Sequence, residues 1–368
     1  MAKNASIEGT SDGSAVDRLV DIDFARGLAV FGMYVAHLGG GPIPDDVGLV
    51  GNLMGLADGR SSALFAVLAG FSIILITGRK APKSGEAGRQ AVARVAIRAL
   101  VLLAIGSILT CLGTRVAVIL GPYGICFLLV LPLYRLSAQQ LGLLAAGTAL
   151  VLPQMRFLLL QLFPEVYLDP VVHGDYPAMT WVPFVIAGMA IARLSLDTQA
   201  MHWRLGLAGV ALAVLGYGGS WLALRLLPGV PAALQESPEG WLWYNLDSPW
   251  SLLVAAPHSE TTFSTLGNTG CAMIVLAACW LAMDALPHLR KLVWPIIAVG
   301  SMSLTAYVLH IVGIAYFNRM LGEDGSLSML FGFVVVISTF AVLWLRVFQR
   351  GPMEVLMGRI TDLARHIH

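Results

Sequence analysis

The sequence predicts an all-α, polytopic membrane protein with about ten transmembrane helices and both termini in the cytoplasm. Three observations lead there. Of 368 residues, 57% are apolar and only 12% are charged, about half the charge of an ordinary soluble domain. The mean hydropathy is +0.77. The apolar residues also gather into runs of the roughly 20 residues that a ~30 Å hydrocarbon core requires.

The runs fall near 22–41, 61–78, 95–114, 116–134, 141–163, 179–195, 205–227, 266–286, 294–316 and 327–346. Gly121-Pro122 interrupts the fourth. The first 19 residues are polar, and no small-residue cleavage site follows the first run, so no cleavable signal is expected. Lys and Arg set the orientation. With both termini inside, 18 of the 23 fall on the inner side and 5 (Arg60, Arg115, Arg156, Arg225, Arg319) on the outer. The expected organisation is a cytoplasmic tail over 1–19, a membrane domain over 20–346 and a cytoplasmic tail over 347–368. The longest outer segment, about 228–265, carries Trp241, Trp243, Tyr244 and Trp250. These suit the membrane–water interface, as an interfacial helix or a lid.

The composition also excludes. A net charge of +1 leaves no basic field for nucleic acid. Cys111, Cys126, Cys271 and Cys279 lie in apolar runs and form no CxxC pair, which argues against a disulfide framework or a metal–sulfur site. There is no HxxxH or HExxH spacing, so no metal is expected. Walker, dinucleotide-binding and GxSxG motifs are absent.

Polar groups at membrane depth are costly, so they are candidates for function. The first run reads DRLVDIDFARGLAVFGMYVAHLGGG. At 100° per residue, Arg26 and His37 lie roughly 20° apart on the helical wheel, and Asp23 about 40° from His37. Asp23, Arg26, Met33 and His37 therefore share a stripe. Arg26 and His37 are separated by ~16 Å along the axis. One reading is a conduit with a basic inner mouth and an imidazole further out, where it serves as a base near neutral pH. The plainer reading is an Asp23–Arg26 i,i+3 ion pair and a packed His37. The glycines Gly39, Gly40 and Gly41 break the helix or admit another backbone.

Asp58 and Arg60 open the second run at the level of His37. Alone, they read as an N-cap and a snorkelling cation. His37, His173, His258 and His310 fall on the outer half, while His202, His288, His366 and His368 fall inside. His310 follows Tyr307 and Ser303 on one helix face, and His258 stands beside Ser259 and Glu260. A loop histidine such as His173 is most often only solvated. The first inner loop, with Arg79, Lys80, Lys83, Arg89, Arg94 and Arg98, is basic enough to hold a phosphorylated ligand. Anionic lipid and the positive-inside rule explain it equally.

The opening run, followed by LADGRSSALFAVLAGFSI, resembles the transmembrane acyltransferases that include heparan-alpha-glucosaminide N-acetyltransferase. It is closer to their bacterial YeiB-like relatives, which it also resembles in VILGPYGICFLLVLPLYRL, HGDYPAMTWVPFVIAGMAIARLSL, PHSETTFSTLGNTG, VGSMSLTAYVLHIVGIAYF and RGPMEVLM. The pieces run from about residue 17 to 358.

The resemblance implies a multi-pass protein of the bacterial plasma membrane. It would move an acyl group, acetyl in the simplest case, from cytosolic acyl-CoA (acetyl-CoA) to an acceptor at the outer face. The acceptor would be a sugar, a lipid-linked glycan or a small molecule. Matching positions are Asp23, Arg26, Gly27, His37, Gly39 to Gly41, Asp58 and Gly70. The heparan enzyme has an asparagine where His37 stands and a histidine shortly after the glycines. Pro42 to Gly55 contains none here, so either His37 has taken that role or the chemistry differs.

On this reading Asp23, Arg26, Gly39, Gly40, Arg94 and Arg98 bind the donor. His37 is the base or acyl carrier, Asp58 orients it, Arg60 or a hydroxyl holds the oxyanion, and His258 and His310 complete the site. Two other classes compete. A proton-coupled transporter of a small solute would use the same buried Asp23, Arg26, His37 and His310. A noncatalytic membrane partner would have no need of the stripe. Surrounding lipid is the one partner that composition requires, and a homodimer is left open.

Overall fold

The structure is a computed structural model that describes residues 10–39, 51, 54–165, 168–236, 242–244, 248–286, 288–321 and 326–367. Helices of eight residues or more are labelled in chain order. They are α1 (Thr10–Leu38), α2 (Arg60–Thr77), α3 (Gly85–Thr110), α4 (Leu120–Val130), α5 (Ala138–Leu162) and α6 (Ala178–Arg193). There follow α7 (Gln199–Leu226), α8 (Thr262–Ala285), α9 (Trp294–Ser301), α10 (Ser303–Leu321), α11 (Leu327–Leu345) and α12 (Pro352–Thr361). The only strands among the described residues are a short antiparallel ribbon, Leu234–Glu236 with Leu242–Tyr244.

Each of the ten apolar runs contains a helix, but among the described residues fewer than ten helices have the length and apolarity of a membrane span. Six qualify: α2, α3, α5, α7, α8 and α11. A seventh is the pair α9–α10, bent by 87° at its break. The shortfall has physical causes. Helix α1 carries Asp21, Asp23 and Arg26 in one half. Helices α4 and α6 are short, at Leu120–Arg135 (with its 3₁₀ extension) and Ala178–Arg193. Helix α1 also begins at Thr10, inside the segment expected to be a tail.

Apolar residues face outward on the peripheral helices, as a lipid environment demands. Only 11% of the apolar window of α5 and of α11 is buried, against 61% for α2. Helix α1 lies inside the bundle. It packs most extensively against α9 and also touches α2, α8, α10 and α11. Apolar attraction between helices is weak in lipid, so close backbone approach must replace it. Gly27 and Gly300 provide this at the α1–α9 crossing. A Cβ on Gly27 would strike the Ile296 carbonyl, and one on Gly300 would strike the Asp23 carbonyl. Gly70 and Gly188 do the same for α2 and α6, facing the backbones of Val185 and Val67.

Candidate active site

The site is built on the two ends of α1. At one end, His37 Nδ1 lies 3.2 Å from His310 Nε2, and the two rings are parallel within 5°. His310 sits on α10 and is 1% exposed. Its ring also stacks on Tyr34, one turn before His37, at 4.4 Å between centroids. The Tyr34 hydroxyl donates to the Ala306 carbonyl at 2.9 Å, which fixes α1 against α10. His310 Nδ1 is buried without a hydrogen-bond partner, an arrangement that typically costs ~1–3 kcal/mol.

The short nitrogen–nitrogen distance requires one ring to donate and the other to accept, and two imidazolium rings would leave no acceptor. If His37 donates from Nδ1, its Nε2 keeps a lone pair. His37 is half-buried where His310 is sealed. His37 is therefore the more accessible member of the pair.

His258 joins from the loop before α8. It is close enough to His37 to interact electrostatically, and its Nε2 lies 3.8 Å from Asp58 Oδ1. The loop is strained: His258 and Glu260 both take positive φ, 56° and 57°, a costly region for non-glycine residues. Ser259 Oγ and Thr261 Oγ1 both donate to the Val254 carbonyl and hold the turn closed. The Tyr176 ring meets His258 edge-on, and Tyr123 donates to the Ser62 carbonyl at 2.9 Å below it.

Glu260 is buried and accepts from Thr180 Oγ1 at 3.0 Å. Burial raises its carboxyl above the ordinary range, and nearby His258 and Arg156 offset part of that. Glu260 and the tyrosines were not among the expected site residues. The one available signal was the placement of His258 and Glu260 two apart in a loop. Residues so spaced share a face in a strand but not in a helix, so the spacing alone did not say whether they meet.

The remaining expected residues are dispersed. Arg60 Nη1 donates to the Gly55 carbonyl at 3.1 Å, and the guanidinium lies 4.8 Å from the centroid of the Tyr217 ring. Tyr217 belongs to the π-turn Val214–Gly218 within α7, and π-turns often accompany functional sites. The backbone N–H of Gly39 donates to Val35, where α1 ends, while Gly40 lies outside the described residues. Trp241 also lies outside them. His173 accepts from the Leu168 backbone and so closes its own loop.

At the other end of α1, Asp23 and Arg26 form the i,i+3 ion pair at 2.9 Å. Arg98 on α3 is within electrostatic reach of Arg26 and of Glu354. Its Nε is buried and unpartnered. Arg94 is half-buried one turn earlier on α3. Glu354, on α12, accepts from the backbone of Leu304 at 2.8 Å and Thr305 at 3.2 Å, and from Thr305 Oγ1 at 2.6 Å. It thus caps the start of α10 at the helix break. Among the described residues no group of three or more His, Cys, Asp and Glu could hold a metal.

Comparison with known families fits this two-ended site. The model described as heparan-alpha-glucosaminide N-acetyltransferase, catalytic, matches residues 18–221, just over half of the chain. A second model, described as a protein of unknown function (DUF418), matches residues 221–364. No curated protein sequence matches the chain. The first match covers α1 with both of its polar ends, together with Asp58 and Arg98. The chain belongs to the heparan-alpha-glucosaminide N-acetyltransferase family, whose catalytic domain is that of a membrane acetyltransferase.

Proposed function

We propose that this protein transfers an acyl group, acetyl in the simplest case, from cytosolic acyl-CoA to a hydroxyl or amine acceptor at the opposite face of a bacterial plasma membrane. The observation that carries the proposal is the His37–His310 pair at 3.2 Å, at one end of a helix whose other end holds Arg26 beside Arg98. The ~16 Å between them suits the extended arm of a thioester whose phosphates stay at the basic end.

In this reading His310 orients His37 by accepting from its Nδ1–H, and His37 Nε2 takes the proton of the acceptor. The acceptor oxygen or nitrogen attacks the thioester carbonyl and the carbon–sulfur bond breaks. The proton held on His37 passes to the departing CoA thiolate, so the imidazole ends neutral. Asp58 and His258 stand beside the reacting centre and position the acceptor. Arg60 would have to leave Tyr217 to stabilise the oxyanion, so closure of the α7 edge accompanies catalysis. Asp23 balances Arg26 at the donor end.

The break between α9 and α10 gives the transporter reading its one specific support, since broken helices line many transport sites. Purified protein in lipid vesicles decides between the two. The acyltransferase releases free CoA from acetyl-CoA only when an acceptor is present. Solute uptake driven by a proton gradient, with no CoA release, is the result that would sink the proposal.

A further inference from the structure

The C-terminal segment is fastened near the donor end of α1 by a set of polar contacts, and its Met357 and Ala364 are also buried. Glu354 holds both backbone N–H groups that open α10 and the Thr305 hydroxyl. The backbone N–H of Met353 donates to Thr305 Oγ1 at 3.0 Å. Gln90 on α3 donates to the carbonyls of Arg365 and Ile367 at 3.4 and 3.3 Å. At the turn into α12, a Cβ on Gly351 would strike Glu354, Met302 and Thr305, so only glycine lets the segment seat this closely.

The groups beneath it are those an anion seeks. The 19-residue α10 has at its N-terminus the N–H groups of Leu304 and Thr305, which no helical carbonyl accepts and which Glu354 occupies. Arg98, whose Nε is buried and unpartnered, is within electrostatic reach of Glu354 and of Arg26. Without Glu354, Arg26 still has Asp23 as its ion-pair partner.

We infer that the start of α10, with Arg98 and Arg26, is a phosphate-binding site in which the Glu354 carboxylate is an internal occupant, and that α12 must lift for the donor's phosphate to bind. The inference rests on the acyl-CoA reading above and adds its regulation: the C-terminal segment is a stopper on the donor site. The hinge is the turn before α12, where Trp344 Nε1 donates to the Arg350 carbonyl at 2.9 Å. Lifting exchanges the carboxylate's hydrogen bonds for those of a phosphate, so the start of α10 is not left unsatisfied.

The experiment uses the full chain in lipid nanodiscs with two probes, CoA and inorganic pyrophosphate. It reads probe affinity and the rate of trypsin cleavage at the exposed Arg359 and Arg365. Glu354→Gln should bind both probes at least fivefold tighter than the wild type. Arg98→Gln should bind them at least fivefold weaker. In the wild type either probe should speed cleavage of the segment. Thr305→Ala removes one hydroxyl from the carboxylate and should shift affinity in the same direction as Glu354→Gln, by less. It serves if Glu354→Gln fails to fold.

The stopper is overturned if Glu354→Gln and Thr305→Ala leave affinity unchanged or weaker and neither probe alters cleavage. That holds whether or not CoA binds elsewhere. Cleavage stimulated by pyrophosphate but not by CoA keeps the anion site and sinks the acyl-CoA reading instead. CoA binding that is indifferent to both Arg98 and Glu354 keeps the acyl-CoA reading and sinks the stopper.

Discussion

His37 and His310 are 273 positions apart in the chain and meet as one unit, so their variants should not behave alike. On the proposed mechanism His37→Ala removes the group that takes the acceptor proton, and transfer should fall by at least ~10²-fold, the usual contribution of a positioned base. His310→Gln keeps a polar group against His37 and should lose less than His310→Ala. Steady-state rates on the three variants check the ordering, and equal losses for Gln and Ala would contradict it. Glu260 gives a second prediction, on stability. Its carboxyl is raised above the ordinary range chiefly by burial. Such a group contributes stability that is present at low pH and is lost as pH rises from the ordinary carboxyl value through the raised one. Glu260→Gln has no such loss. The melting temperature of Glu260→Gln minus that of the wild type should therefore grow as pH rises from 4.5 upward. A difference that stays constant with pH would show that Glu260 titrates alike in the folded and unfolded chain, contrary to the burial argument.

Helix α1 shows both what its sequence discloses and what it conceals. Its 3.6-residue period placed Asp23, Arg26, Met33 and His37 on one stripe, and Met33 is 2% exposed in the folded chain. Period alone could not distinguish a conduit from an ion pair, and the 2.9 Å contact shows that the pair is present. The partner of His37 was also beyond the reach of pattern reading, because α10 is placed by the α9–α10 bend of 87°, and an apolar run looks the same bent or straight. Counting apolar runs located the apolar helices but not the polar α12, and among the described residues α1, α4 and α6 fall short of a clear span, α1 because it is charged and α4 and α6 because they are short. The glycines at helix crossings carry this packing. Gly300→Leu should drive the side chain into the Asp23 backbone and cost more than the ~1–3 kcal/mol usual for overpacking. A clear drop in melting temperature and loss of monodisperse protein are expected, whereas Gly142→Leu, on the open face of α5 with nothing near its Cβ, should leave both unchanged.

The molecule as a whole joins two chemistries across one helix: arginines and a capping carboxylate at one end, imidazoles at the other. Composition made the membrane setting legible, and the order of loose motifs made the family legible. Convergence of His37, His258 and His310 was not legible, because it depends on a loop with two strained residues and a bent helix pair that no local pattern encodes. The excess of Lys and Arg on one side leads us to propose that both termini are cytoplasmic. A cysteine at position 326, ahead of α11, should accordingly react with impermeant reagent from outside the cell, and one at position 350 only after lysis. The reverse pattern would place the imidazoles at the cytoplasmic face. The most direct measurement is transfer of label from ¹⁴C-acetyl-CoA by purified wild-type and His37→Ala protein, followed in protein, lipid, glycan and small-molecule fractions. The wild type should release CoA and pass label to one acceptor fraction, while His37→Ala does neither. Label transfer undiminished in His37→Ala would contradict the role given to the imidazole pair.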